Sequence, residues 1–292
     1  MNRRSFLLST AAAGAAALTT STVHAQNTAP TGPFSKLPLK MAAQLQFFPG
    51  PVDEQLQAVA KWGFAAYEWH SPEGDLDELR SKADALGLGL SCILGCGRIA
   101  PGHMMDPAQH DAVVEEFRQR VKVAKQLGTK RLIGLTGNER SDISREEQTD
   151  LVIRCVKRLA PIAEENDVIL IMEALNPLVD HKGFFLTRTD QTMAILDAVN
   201  SPNVKMLFDI YHQQITEGNV TRNLTANFER IGHFHVADNP GRKEPGTGEL
   251  NYANIFKAIE KTGYDGYVAL ECGKSGTLDD ALNAVRACFP EA

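Results

Sequence analysis

Short apolar runs alternate along the chain with longer stretches whose apolar residues recur at helical spacing, and the alternation repeats eight times. The runs fall near residues 40–47, 65–69, 88–94, 131–135, 168–173, 205–209, 233–237 and 266–271. Each is of strand length. Between them lie amphipathic stretches, among them 52–62, 75–86, 109–127, 145–166 and 252–262, whose apolar stripes predict helices docked on a core. Three of these end at a glycine before the next run, at Gly87, Gly128 and Gly263, where a left-handed helix cap is predicted. Strands alternating with helices imply a parallel sheet, and eight units in one domain favour a closed barrel, so the fold class expected is α/β, a single (β/α)8 TIM barrel. No GxGxxG or phosphate-binding glycine loop follows any run, which removes the usual nucleotide-binding alternatives.

Four of the apolar runs close on a carboxylate or imidazole: Glu173, Asp209, His235 and Glu271. One strand plus one helix separates each from the next, as a barrel requires if successive strands are to aim side chains into the mouth at their C-terminal ends. Two Glu, one Asp and one His suit one divalent ion, Mn²⁺, Mg²⁺, Co²⁺ or Zn²⁺, without selecting among them. On the seventh run His233 and His235 share a face, because strand side chains alternate with period two. Only His235, nearer the mouth, is expected to reach an ion, and His233 is expected to be a hydrogen-bonded core residue.

Other residues are candidates for substrate contact. His212 follows Asp209 by three positions and is expected over the site. Glu68 and His70 close the second run. Arg242 lies in the turn-rich loop from Asn239 to Glu249, where its planar fork suits a carboxylate or several oxygens. His103 and His181 lie in loops after strands three and five and take no assigned role.

The N-terminus is set apart from the fold. Arg3 and Arg4 precede an apolar, Ala-rich stretch, and Val23-His24-Ala25 offers a cleavage site, so residues 1–25 read as a twin-arginine export signal. The mature protein is then expected in the periplasm, with no membrane attachment once the signal is removed. Residues 26–36, polar with Pro30 and Pro33, are expected to form a tether, leaving 37–292 as the catalytic domain. Without the two signal arginines the chain carries 28 basic against 36 acidic side chains, which argues against nucleic acid as a partner and points to a small-molecule substrate. The five cysteines show no paired metal spacing. They are read mostly as buried apolar fillers, with a Cys92–Cys96 pairing left open.

The segment IGHFHVADNPGRKEPGTGELNY from Ile231 to Tyr252, with MEALNP from Met172 and FDIYHQQ from Phe208, resembles the hydroxypyruvate isomerase family of the xylose isomerase-like barrels. The resemblance spans essentially the whole chain after the signal. It implies that Glu173 and Glu271 both bind the metal and transfer the proton, that Asp209 and His235 complete the coordination, and that His212 and Arg242 contact substrate oxygens. It implies an intramolecular oxidoreductase working through an enediolate on hydroxypyruvate, tartronate semialdehyde or a similar small hydroxy-keto acid. Barrels of this group often associate, so a homo-oligomer is left open. A periplasmic ketose 3-epimerase or sugar isomerase is the alternative reading, followed by a lyase and a non-catalytic sugar-binding protein.

Overall fold

The computed structural model describes residues 29–100 and 102–289; the expected export signal lies outside them. The strands are β1 (Lys40–Gln44), β2 (Ala66–Glu68), β3 (Gly89–Leu90), β4 (Ile93–Cys96), β5 (Arg131–Gly134), β6 (Ile169–Glu173), β7 (Val204–Asp209), β8 (Ile231–Val236) and β9 (Tyr267–Leu270). All pairings are parallel, in the order β3-β2-β1-β9-β8-β7-β6-β5-β4. The two ends of this order, β3 and β4, are consecutive in the chain. They are the halves of the third expected strand, parted at Ser91 and Cys92, with one half bonded to β2 and the other to β5. The nine strands therefore occupy the eight positions of a nearly closed TIM barrel.

Around it run α1 (Val52–Trp62), α2 (Leu76–Ala85), α3 (His110–Leu127), α4 (Arg145–Glu165), α5 (Thr189–Val199), α6 (Ile210–Thr216), α7 (Val220–Ala226), α8 (Tyr252–Lys261) and α9 (Leu278–Ala287). Gly87, Gly128 and Gly263 all have positive φ at the helix ends where glycine caps were expected. Asp75 caps α2 by accepting hydrogen bonds from the amides of Asp77 and Glu78. Two expectations shift. The first strand stops at Gln44 and passes into a 3-10 turn, Leu45–Phe47. The end of the expected tether is docked rather than free, because Phe34 is buried and stacks on Phe64 at 4.2 Å.

Two residues below the mouth, alternation carries a second layer of side chains into the barrel interior. It is lopsided. Cys92, Ile133, Ile171 and Leu207 form one contact cluster, while Ala42, Ala66 and Ala269 form another. Bulky residues thus fill one half, and the alanines leave room in the other for polar side chains, among them the fully buried His233 and Glu68. The fold places its buried charge over its smallest core residues.

Candidate metal centre and active site

Glu173, Asp209, His235 and Glu271, from the ends of β6, β7, β8 and β9, each offer one ligand atom, and these atoms lie within 4.8 Å of one another. His235 Nδ1 is 3.1 Å from Glu271 Oε2 and 3.6 Å from Glu173 Oε1. That nitrogen is buried with no hydrogen-bond partner among the described residues. An orphaned imidazole nitrogen facing three carboxylates is the arrangement that suits a divalent cation. The four expected ligands therefore converge, and they fit the ion expected of them.

Local structure places the neighbours. Helix α6 starts directly after β7, and Asp209 is its N-cap: Oδ1 accepts from the backbone N–H of His212 at 3.0 Å. The same carboxylate thus caps a helix with one oxygen and turns Oδ2 toward Arg242 Nη2, 3.7 Å away. His212 is fully buried. The backbone N–H of Asn176 (3.3 Å) and its side-chain Nδ2 (2.7 Å) both approach His212 Nδ1. Asn176 Oδ1 is already engaged by the amides of Val179 and Asp180, so its Nδ2 is the donor. Nδ1 thus faces two Asn176 donors, while Nε2 lies 3.3 Å from Arg242 Nη2, which can only donate. Burial and the Arg242 charge lower the His212 pKa to about 4, so the ring is neutral near pH 7.

Arg242, at positive φ in its loop, donates from Nη2 to Glu271 Oε2 at 2.8 Å and lies over the Tyr211 ring at 5.1 Å. The loop is shaped by buried Asp238, which accepts from the amides of Asn239, Gly246 and Leu250. Burial alone would raise Glu271, but the His235 and Arg242 charges outweigh it and hold its carboxyl well below the usual range. Asp209 goes the other way, pushed by burial to about 6.

Glu68 and His70, the other two residues expected to contact substrate, both lie against His235. Glu68 is fully buried and its oxygens face protein. Oε2 accepts from Ser91 Oγ at 2.6 Å and Cys92 Sγ at 3.1 Å and lies 2.9 Å from His233 Nε2. Oε1 lies 2.9 Å from His70 Nε2 and 3.0 Å from His235 Nε2. Burial opposes its charge, yet the His235 charge and the hydrogen bonds from His233 and His70 hold it well below the carboxylate range. Its place is therefore behind His235, on the ring nitrogen away from the carboxylate quartet, in register with Gln44 on β1. His70, two residues on, is half-buried at the mouth, its ring stacked on that of His235 at 5.6 Å. His233 lies deeper as expected, hydrogen-bonded to Glu68. Cys92 is a free thiol inside this polar group rather than an apolar filler, and Cys96 is also free.

Two site residues escaped the sequence reading. Gln44, at the end of β1, donates from Nε2 to Glu271 Oε1 at 3.0 Å. The strand-end logic that singled out the four expected ligands would have found it, had amides been included. Asn176 sits in the MEALNP segment, but its hold on His212 depends on a contact across 36 positions.

The family profile of the xylose isomerase-like TIM barrels matches residues 56–288. Hydroxypyruvate isomerase of Escherichia coli K12 is 31% identical over 251 residues, covering 84% of this chain and 97% of that protein. The 2-oxo-tetronate isomerase of Cupriavidus necator is 32% identical over 227 residues, covering 75% and 85%. A solved structure described as an AP endonuclease, family 2, from Brucella melitensis superposes with a TM-score of 0.77 at 23% identity, covering 84% of this chain and 96% of that one. Fold and acid ring define a xylose isomerase-like TIM barrel protein. Within that class, the chain belongs to the hydroxypyruvate isomerase family.

Proposed function

We propose that the chain is a divalent-metal-dependent isomerase that moves a proton between adjacent carbons of an α-hydroxy-carbonyl substrate through an enediolate. The observation that carries this reading is the convergence of Glu173 and Glu271 on one buried imidazole nitrogen from strands β6 and β9. The ion, held by Glu173, Asp209, His235 and Glu271, would supply Lewis-acid stabilisation of negative charge on neighbouring substrate oxygens. One glutamate removes the proton from the carbon beside the carbonyl, and a carboxylate returns it to the neighbouring carbon. The Arg242 guanidinium, 3.3 Å from His212 Nε2, is placed to donate to oxygens on which charge grows.

The relatives' names make hydroxypyruvate the first substrate to test. Opposed glutamates also support a second reading, 3-epimerisation of a ketose, because inverting a carbon requires a base on one face and an acid on the other. Export through residues 1–25 belongs to the same proposal and would set the reaction in the periplasm.

Proton NMR in D₂O tests the reading. The metal-loaded protein should exchange carbon-bound hydrogen and form product with hydroxypyruvate or a ketose, and Glu173→Gln or Glu271→Gln should abolish both while the protein stays folded. Near-native exchange in either variant removes the proton-transfer roles.

A further inference from the structure

Behind His235 a second group of metal-binding side chains converges. Glu68, His70, Cys92 and His235 each offer one ligand atom, and these atoms lie within 4.8 Å of one another. Glu68 and His70, two positions apart at the end of β2, meet at 2.9 Å. Cys92 comes from the break between β3 and β4, beside them in the barrel, and His235 closes the group from β8. His235 alone is shared with the quartet. Its Nδ1 faces Glu173 and Glu271, and its Nε2 faces Glu68.

Hydrogen bonding leaves this group incomplete. Five groups able to donate surround the Glu68 carboxylate: Ser91 Oγ, Cys92 Sγ and His233 Nε2 at Oε2, and His70 Nε2 and His235 Nε2 at Oε1. A carboxylate has only about four lone-pair sites. The excess falls on His235, whose fully buried Nε2 lies 3.0 Å from Oε1 and has no hydrogen-bond partner among the described residues. Such a nitrogen, with a carboxylate, a second imidazole and a thiol around it, is set to give a lone pair to a cation.

Dimensions and access agree. Bonds of about 2.0 Å to Zn²⁺ put nitrogen and oxygen ligands about 3.3 Å apart in a tetrahedron, so the 2.9 and 3.0 Å separations at Oε1 need to open by only a few tenths of an ångström. A cavity of about 380 Å³ bordered by Gln44, Glu68, His70 and Glu271 reaches the group from the β1 and β2 side. The thiol sets the preference, because Zn²⁺ takes sulfur, nitrogen and oxygen together while Mn²⁺ and Mg²⁺ favour oxygen.

We propose that Glu68, His70, Cys92 and His235 form a second metal site, selective for Zn²⁺ over Mn²⁺ and Mg²⁺, and that the His235 ring bridges two ions when both sites are filled. Binding releases the Cys92 thiol proton and the remaining His235 ring proton to solvent, leaving a thiolate and an imidazolate with a lone pair on each nitrogen. With Mn²⁺ the quartet fills alone and Glu68 stays an outer carboxylate of His235. With Zn²⁺ it becomes a ligand through Oε1 and keeps Ser91 and His233 on Oε2. Nothing in this second site depends on the isomerase chemistry of the quartet.

The test is the metal content of the full chain after equilibration with Zn²⁺ or Mn²⁺, together with the absorption spectrum of the Co²⁺-loaded protein. Two Zn²⁺ but one Mn²⁺ per chain are expected, and Co²⁺ should give a thiolate-to-metal charge-transfer band in the near ultraviolet. Cys92→Ala should lose that band and one Zn²⁺ while keeping its Mn²⁺. Asp209→Asn, which alters the quartet alone, should keep the band while binding less Mn²⁺. Absence of the band from the wild type overturns the proposal and needs no variant to fold. So does a band that survives Cys92→Ala, since another cysteine then supplies the sulfur. A second Mn²⁺ per chain overturns the selectivity. One Zn²⁺ per chain with the band undiminished in Asp209→Asn supports this site and defeats both the bridge and the quartet's own ion, and a chain that binds no metal defeats both centres.

Discussion

Glu68 and His212 show how single buried groups set the character of the site. Glu68 lies 3.0 Å from the His235 nitrogen away from the quartet, and such outer carboxylates typically contribute about 10–100-fold to metal affinity. Glu68→Gln should weaken Mn²⁺ binding by that order in a chelator-competition assay, with the far-ultraviolet circular dichroism unchanged. Unaltered affinity would mean that strand geometry alone aims the His235 ring. His212 gives a pH prediction. Its folded pKa, about 4, lies below the ordinary value of 6.5, so the fold favours the neutral ring. The stability it contributes is complete above about pH 6.5 and is lost as pH falls toward 4. By pH 5 the metal-free protein should lose about 2 kcal/mol through this residue, visible as a smaller loss in His212→Gln when urea unfolding at pH 7.5 and pH 5 is compared. The four residues that converge were legible because each closes an apolar run. The partners of Glu68 were not, because Ser91 and Cys92 come from the break between β3 and β4 and His233 from β8.

At the scale of elements, the alternation of strand and helix was readable from periodicity, and the glycine caps were readable from sequence alone. The division of the third strand was not. A run of apolar residues from 88 to 94 carries no mark of the point where its two halves turn to different neighbours. The join at β7–α6 was half legible: the three-residue spacing placed His212 over the site, while the use of Asp209 as helix cap emerged only with the backbone angles. Local rules still predict energies where an element is exposed. Asp75→Ala removes two amide contacts at the start of α2 and should cost about 1 kcal/mol, read as a lower denaturant midpoint with unchanged slope. A change well below this would mean that solvent caps α2 as well as the carboxylate does.

For the whole molecule, the barrel gathers three carboxylates on one imidazole, with the Arg242 guanidinium beside two of them. A divalent ion there should stabilise the folded state alone. At a hundredfold excess over Kd the gain is about 2.7 kcal/mol, roughly 5–10 °C in Tm for a chain of this size. EDTA should reverse it, and Asp209→Asn should reduce it; a Tm indifferent to Mn²⁺, Mg²⁺, Co²⁺ and Zn²⁺ would argue against the centre. The sequence by itself determined the barrel, the order of its strands and the four residues that close β6 to β9, because strand period and the βα repeat fix which side chains reach the mouth. Only the tertiary structure decided that Glu68 backs His235, that Asn176 reaches His212, and that Arg242 meets Glu271. These are contacts between strands and loops far apart in the chain. Closure of the barrel brings them together, and no local pattern encodes the distance between them.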